Sequence, residues 1–298
     1  MMAGRGLPPA DWPLVQHSRS VSAGGIDWHV QMLGDGPDIL LIHGTGASTH
    51  SYRQLAPILA RTHRVIMADC PGVGFSGRPE RRPTLDEMAR LHGALLRRLE
   101  ASPRLIVGHS AGAVIAVQMA LSNNARPDAI VSLGGALLPF PGRRGRLYPA
   151  LAKLLFLNPV TPRLFAFRAH SERAVDQLLT ATGSDLSSEA RDYYARLFRD
   201  PRHVEGTLAM MSHWDLASFE TRLARLETPL ILVHGLRDKA IAPQNSRTVH
   251  ERLPGSALFM LDGLGHLAHE EAPDAIAGII LGATGRAAPA VAAAPPSG

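Results

Sequence analysis

The sequence has little cysteine, few aromatic residues and no long apolar run, and each of these absences argues against a class of protein. It has a single cysteine, Cys70, in 298 residues, which excludes an internal disulfide framework and is typical of a reducing compartment. Aromatic residues make up only 5 %, and the formal net charge of +5 comes without a recognised nucleic-acid-binding motif. No uncharged apolar run reaches the length of about 18 residues that a membrane-spanning helix needs. Residues 1–11 lack the apolar core of a signal peptide. We therefore expect a soluble, cytoplasmic protein that does not bind nucleic acid.

Predicted strands and helices alternate through most of the chain. Continuous apolar runs such as Asp38–Ile42 are typical of strands buried on both faces of a parallel sheet, and helical patterns follow them. The alternation stops at about Leu137 and resumes at Pro229, with a proline-rich, helical stretch between. We predict an α/β fold with a mostly parallel, doubly wound sheet and an inserted helical cap. The expected parts are a flexible N-terminal arm over 1–20, a core formed by 21–136 and 218–283, a cap over 137–217 and a disordered tail over 284–298.

The stretch 105–121 carries the strongest catalytic signal. Three apolar residues lead into Gly-His-Ser-Ala-Gly at 108–112, a G-x-S-x-G pattern, and an apolar helical run follows at once. A strand that turns directly into a helix makes a sharp corner, where small residues two before and two after the serine relieve crowding. The corner holds the hydroxyl of Ser110 clear of the sheet, at the positive end of a helix. We predict that Ser110 is a nucleophile; the alternative is a serine that only caps the helix.

Two other strand ends supply the groups that a serine nucleophile needs. A serine hydroxyl requires a base to take its proton, and the base requires a third group to orient it. Functional groups of a doubly wound sheet gather at the carboxyl ends of its strands. Asp238 follows the predicted strand 229–233, and His266 follows the last strand, Ala257–Leu261. Ser, Asp, His is one of the known chain orders of such triads. We assign His266 as general acid/base and Asp238 as the residue that orients it.

Two backbone amides are expected to stabilise the oxyanion that forms during acyl transfer. The first is the amide of Ala111, directly after the nucleophile. The second comes from the small-residue loop after the first buried strand. Thr45 is preferred there, and Gly44 and Gly46 remain open.

Several other residues near strand ends offer rival chemistry, and each has a simpler interpretation. Asp262 lies in a turn that aims it away from His266, and Asp69, next to a Pro-Gly turn, is expected to hold its loop. His269 forms H-x-x-H with His266, but a zinc site needs a further ligand and a better motif. Cys70 has no histidine tied to it as a base. We expect no metal and no organic cofactor.

The stretch 72–77 matches G-x-G-x-x-G, which is also found at dinucleotide sites. That motif must open a helix directly, and here Pro79 and Pro83 prevent one. The next helix is predicted to start at Thr84, in a capping box with Glu87. We therefore interpret the glycines as a loop.

Together these motifs resemble the α/β-hydrolase family over roughly residues 26–281. The motifs that carry this resemblance are His43-Gly44, Asp69-x-Pro71-Gly72-x-Gly74-x-Ser76, the Ser110 corner and Gly265-His266. A further set of segments is similar to one subfamily, the magnesium-chelatase accessory proteins of bacteriochlorophyll biosynthesis. These segments are Asp11-Trp12-Pro13, Trp28-His29-Val30-Gln31, 43–50, Asn158-Pro159, Met210-Met211, Trp214-Asp215-Leu216 and 266–271. The sequence departs from the subfamily at Cys70 and Val73, where relatives more often carry Leu and His, and neither position belongs to the triad.

The predicted triad favours a serine hydrolase of an ester or related acyl bond. The resemblance implies its setting, in or beside bacteriochlorophyll synthesis and hence photosynthesis, more firmly than it implies a reaction. A C–C bond hydrolase uses the same triad and is one alternative. A non-catalytic, tetrapyrrole-binding accessory protein that assists magnesium chelation is another. The implied partners are an apolar small molecule, such as a porphyrin, and magnesium chelatase.

The first part of the cap, 140–173, is both basic and apolar. It contains seven Lys and Arg but only one Glu, and the basic residues are interleaved with Leu and Phe. One interpretation is ordinary packing with solvated arginines. The other is a surface that receives an apolar ligand with carboxylates, or that rests on an anionic membrane such as the inner membrane. Trp214 and Asp215, where the cap rejoins the core, are predicted substrate contacts. His109, beside the nucleophile, is either a further contact or a residue that packs its loop, as expected of His43.

Overall fold

One eight-stranded sheet organises the chain in the computed structural model, which describes residues 6–139, 158 and 160–284. The strands are β1 (Ser18–Ala23), β2 (Ile26–Leu33), β3 (Asp38–Ile42), β4 (Arg64–Ala68), β5 (Leu105–His109), β6 (Ala129–Leu133), β7 (Leu230–Gly235) and β8 (Ala257–Leu261). Their order across the sheet is β1-β2-β4-β3-β5-β6-β7-β8. The pairs β1–β2 and β2–β4 are antiparallel, and the others are parallel. The predicted mostly parallel α/β sheet is confirmed.

The central strands are buried along their whole length, as their continuous apolar sequences predict. Every residue of β3, β5, β6 and β7 is buried. The parallel register sets Gly108 beside both Ile42 and Ser132, and His109 beside Leu133. The carboxyl ends of β3, β5 and β6 therefore lie level at one edge of the sheet, where the loops that follow them meet.

Helices cover both faces of the sheet, as in other doubly wound folds. The α-helices of the described residues are α1 (Leu55–Leu59), α2 (Leu85–Arg98), α3 (Ala111–Leu121), α4 (Thr161–Arg168), α5 (Glu172–Thr180), α6 (Ser188–Phe198), α7 (Pro201–His213), α8 (Leu216–Leu223), α9 (Gln244–Arg252), α10 (Ala268–Glu271) and α11 (Pro273–Thr284). Helices α2, α3 and α8 pack into the apolar core on one face, and α1 and α11 into the core on the other. No helix among the described residues is both long enough and apolar enough to cross a bilayer.

The N-terminal stretch is packed on the domain from Trp12 onward, so the loose arm predicted over 1–20 is wrong there. Trp12 is buried and makes edge-on ring contacts with Phe75 and Tyr193. The amide of Gln31 donates to the carbonyl of Pro13 at 2.8 Å, and strand β1 starts at Ser18. The prolines set the turns of this stretch, and burial of the indole holds it in place.

One predicted helix start needs correction, and the segment after β3 is not one continuous helix. That segment forms a 3₁₀ turn, Thr49–Tyr52, and the short α1. Thr84 caps α2 by accepting from the amide of Glu87. The carboxylate of Glu87, however, makes two hydrogen bonds to Arg90, because a two-pronged charge-assisted pair is stronger than the return bond of a capping box.

The cap consists, in its described part, of α4 to α7, inserted between β6 and α8. Helix α4 packs against α7, and α5 against α6. Helix α8 begins at Leu216 and buries Phe219 in the sheet core, so the cap ends before it, two residues earlier than predicted. Residues 1–5, 140–157, 159 and 285–298 lie outside the described residues. Four of the seven Lys and Arg of 140–173 and the predicted C-terminal tail fall among them.

Candidate active site

Ser110 occupies a strained corner between β5 and α3. Its backbone has φ 51° and ψ −114°, a region that a residue with a side chain rarely adopts. A Cβ on Gly112 would lie 2.1 Å from the carbonyl oxygen of Ile42, and one on Gly108 would lie 2.4 Å from the backbone of Ala113. Both positions therefore require glycine, as the crowding argument predicts.

Asp238 and His266 form a hydrogen-bonded pair at the ends of β7 and β8. The distance from Asp238 Oδ2 to His266 Nδ1 is 2.7 Å. The other carboxylate oxygen of Asp238 accepts from the amides of Ala240 and Ile241, each at 2.8 Å. His234 Nε2 lies 3.1 Å from Asp238 Oδ2. Burial alone raises the pKa of Asp238, but the hydrogen bonds from His234 and His266 outweigh it and lower that pKa below its ordinary value. The group is a carboxylate at neutral pH.

Gly134, at the end of β6, makes room for this pair. A Cβ there would lie 3.2 Å from His266 Nδ1 and 3.3 Å from Asp238 Oδ2, and the residue has φ +52°. This strand end, Gly134-Gly135-Ala136, carries no carboxylate. What it supplies instead is the space beside the imidazole–carboxylate contact.

Ser110 and His266 open into one cavity of about 910 Å³ between the core and the cap. Thr45 and Ala111 also line it. Ala111 is the first residue of α3, where amide N–H groups have no partner within the helix. The cavity walls are mostly apolar, and its size is within the range of small-molecule sites.

The three predicted substrate contacts all line the cavity, and each has a structural contact as well. His109 Nε2 donates to the backbone carbonyl of His266 at 3.0 Å. The indole nitrogen of Trp214 donates to the carbonyl of Pro83 at 3.1 Å. Asp215 caps α8 by accepting from the amide and hydroxyl of Ser218.

Two of the rival residues hold their loops. Asp69 accepts from Thr49 and Phe75 amides and pairs with His29 at 2.9 Å. Burial alone raises the pKa of Asp69, but His29 and these contacts lower it far below the ordinary value. His43 accepts from the amide of residue 70 and donates to the next carbonyl in its loop. Both residues pack loops, as the sequence analysis predicts.

The remaining rivals are unsuited to catalysis. Cys70 is buried, and burial raises the pKa of its thiol far above the ordinary value. In the part of the chain that the structure describes, Asp262 accepts only from the adjacent amide of Gly263, in an exposed turn. Both ring nitrogens of His269 are buried and lack a hydrogen-bond partner among the described residues. Within the same part of the chain, no group of three or more His, Cys, Asp or Glu is placed to hold a metal ion.

Sequence reasoning missed most of the cap side of the cavity. Val175 and Leu178 of α5 line it, as do Tyr194 and Phe198 of α6, whose rings stack with centroids 6.4 Å apart. The spacing of four between the two aromatic residues was the available signal. It could indicate one helix face but not what that face contacts.

The sequence matches the family model of the alpha/beta hydrolase fold over residues 37–273. The chain therefore belongs to the α/β-hydrolase fold family, in agreement with the sheet order and the strand–corner–helix around Ser110.

Among curated relatives, it is 38 % identical to the magnesium-chelatase 30 kDa subunit of Rhodobacter capsulatus, over 92 % of this chain and 96 % of that protein. It is 27 % identical to a 2-hydroxymuconate semialdehyde hydrolase of Pseudomonas putida, over 83 % of this chain and 87 % of that protein. A solved α/β-hydrolase fold protein from Burkholderia ambifaria superposes with a TM-score of 0.75 at 23 % identity, covering 89 % of this chain and 97 % of that one. The relatives thus include hydrolases and a chelatase subunit.

Proposed function

We propose that this protein is a serine hydrolase with Ser110, His266 and Asp238 as its triad. The observation that carries the proposal is that the strained Ser110 and His266, which is hydrogen-bonded to Asp238, line one apolar cavity. A helix-capping serine alone would need neither the buried carboxylate nor the imidazole beside it. Hydrolases among the relatives add support.

In the proposed reaction, His266 removes the proton of the Ser110 hydroxyl as its oxygen attacks the substrate carbonyl. Asp238 holds the imidazole in the tautomer with its proton on Nδ1 and stabilises the charged imidazolium. The amides of Ala111 and Thr45 donate to the oxyanion. His266 then gives its proton to the leaving group, and water, activated by the same imidazole, releases the acyl group from the serine.

The cavity favours an apolar substrate that carries an anionic group. Its walls are apolar, and Arg168 is the only Lys or Arg among the described lining residues. Arg168 forms no ion pair within that part of the chain, so its guanidinium is available to a carboxylate. Together with the similarity to a magnesium-chelatase subunit, this favours a porphyrin-type carboxylate ester from bacteriochlorophyll synthesis as substrate.

Hydrolysis of a panel of esters tests this function. We expect wild-type protein to hydrolyse apolar aryl esters and to prefer esters with a second, free carboxylate. Turnover must be lost in Ser110→Ala. If wild type and Ser110→Ala have the same low rate, the protein is not a serine hydrolase.

A second candidate is a non-catalytic tetrapyrrole-binding protein that assists magnesium chelatase. The similarity to a chelatase subunit is the observation in its favour. Porphyrin binding with equal affinity in wild type and Ser110→Ala, in the absence of any turnover, would support it.

A C–C bond hydrolase, suggested by the semialdehyde hydrolase relative, would instead cleave dienoic ketoacids in a Ser110-dependent reaction.

The location that we propose is the cytoplasm, with peripheral contact to an anionic membrane through the cap. The first part of the cap, 140–173, has three described cations, Arg163, Arg168 and Arg173, together with exposed apolar side chains, among them Phe167 at 74 % exposure. Basic and apolar groups together favour anionic lipid surfaces. Co-sedimentation with anionic but not zwitterionic vesicles is the expected result, and no sedimentation with either would contradict the contact.

A further inference from the structure

A short segment of the cap, residues 182–185, lies directly on the two loops that carry Asp238 and His266. The segment connects α5 to α6. The carbonyl of Thr182 accepts from the amide of Lys239 at 3.0 Å and from the amide of His266 at 3.4 Å. One cap carbonyl therefore joins the residue after the triad aspartate to the triad histidine itself.

The next residues of the segment hold the chain on both sides of His266. The hydroxyl of Ser184, which is buried, accepts from the amide of Leu267 at 2.7 Å. The amide of Asp185 donates to one carboxylate oxygen of Glu271, whose other oxygen accepts from the amide of Gly265 at 2.8 Å. The residues before and after the imidazole are thus both tied to the cap.

The backbone of residues 182–185 packs so closely against the backbone of the two loops that no side chain fits between them at residues 183 and 265. Gly183 has φ +82°, and a Cβ on it would lie 2.0 Å from the carbonyl oxygen of Arg237. A Cβ on Gly265 would lie 2.5 Å from the backbone of Gly183 and Ser184. Glycine is required at 183 and 265 because the segment touches both loops directly.

The same segment is continuous with the wall of the cavity. Thr182 lines the cavity, and so do Val175, Leu178 and Leu179 of α5, the helix that leads into it. A molecule in the cavity therefore contacts the element that touches the triad loops.

We propose that residues 182–185 position the triad, with Ser184 as the principal positioning residue. This rests on the proposed function. The Ser184 hydroxyl holds the backbone directly after His266. It thereby fixes the orientation of the imidazole relative to Asp238 and Ser110. Ser184 touches no reacting atom. Loss of its hydroxyl frees the Leu267 amide and lets the ring move, and misplacement on the order of 1 Å can cost about a hundredfold in rate.

The test compares Ser184→Ala with Ser187→Ala, using p-nitrophenyl butyrate as the substrate. Ser187 is the matched control because its hydroxyl also accepts one backbone amide of the cap, that of Ala190 at 3.2 Å, but does not contact a triad loop. We expect Ser184→Ala to lower kcat by about tenfold or more with KM within about twofold, the pattern of a lost transition-state alignment. Ser187→Ala should change neither, although both variants lose some thermal stability.

A second readout separates this proposal from the proposed function. The proton that His266 Nδ1 shares with Asp238 should give a downfield NMR resonance. We expect Ser187→Ala to retain this resonance and Ser184→Ala to broaden or lose it. Equal kcat in the two variants of an active enzyme would overturn the positioning proposal. Absence of Ser110-dependent turnover in wild type would overturn the proposed function instead. In that case the NMR resonance alone tests the positioning proposal. The same signal in Ser184→Ala and Ser187→Ala would show that Ser184 does not position His266.

Discussion

The sheet core and the cap contribute to the site in different ways. The core fixes its reactive groups with several contacts each: Asp238 alone has four hydrogen-bonding partners. The cap lines the cavity with side chains that are partly open to solvent, such as Phe165, Leu178 and Met211 at 47 %, 51 % and 43 % exposure. The difference favours a division of roles in which the core supplies the proposed chemistry. The cap would then select what enters the cavity and, through 182–185, align the proposed triad.

The largest expected effect comes from the core. Ser110→Ala should reduce turnover by about a millionfold, the scale for losing a triad nucleophile, without unfolding the protein. Ester hydrolysis and thermal melting measure the two quantities. Ser122→Ala, at the far end of α3, is the control and should retain full activity. Residual turnover in Ser110→Ala close to that of wild type would move the chemistry away from the corner.

A smaller loss is expected when the orienting group is changed. Asp238→Asn should cost up to about ten-thousandfold, because the amide favours the wrong tautomer of His266. Asp262→Asn, in the neighbouring exposed turn, should be close to wild type in kcat/KM. If the two variants rank in the opposite order, Asp262 and not Asp238 orients the base.

The dependence of the free energy of unfolding on pH tests whether His269, buried beneath the site, resists protonation in the native state. Burial lowers the pKa of His269 from 6.5 to about 3, so between these values the unfolded chain binds the proton and the native chain does not. Stability therefore falls as the pH falls from 6.5 towards 3. His269→Phe removes this contribution and should lose about 2 kcal/mol less stability than wild type between pH 7 and 5.

Urea unfolding at the two pH values measures this difference. His170→Phe, at an exposed cap position, is the control for replacing an imidazole by a benzene ring. The same loss of stability with pH in wild type and His269→Phe would show that His269 does not resist protonation in the native state.

The smallest expected effect lies in the cap. Protoporphyrin should quench Trp214 fluorescence at micromolar concentration, because the other two tryptophans, Trp12 and Trp28, are buried away from the cavity. Trp214→Leu should remove most of the quenching. Arg168→Gln should weaken binding by up to about fivefold, the scale of an exposed ion pair. Arg163→Gln, which lies outside the described cavity lining, should weaken it less; equal losses would indicate a general charge effect.

The core was predictable from sequence because its signals are local. A buried strand, a glycine-flanked serine and a polar residue at a strand end each have a recognisable pattern, and the parallel sheet brings the strand ends together. The cavity wall was not predictable in the same way. The position of Phe198 depends on how α6 packs over the core, and that packing has no local signature.

The packing of the N-terminal stretch and the role of Gly183 were also not predictable from sequence, because both depend on contacts between residues far apart in the chain. Residues around Trp12 contain three prolines, which suggested an irregular arm, whereas burial of the indole against Tyr193 of the cap holds the stretch in place. Gly183 reads in sequence as an ordinary helix end. Only its contact with Arg237, more than fifty residues away, reveals that it touches a triad loop.

The most direct test of the central claim is active-site labelling with a fluorophosphonate, followed by peptide mapping of the full chain. The account predicts one label per chain, on Ser110, with the rate of labelling greatly reduced in Asp238→Asn and no label in Ser110→Ala. No labelling of the wild-type chain, or labelling at another serine with Ser110→Ala still reactive, would contradict it.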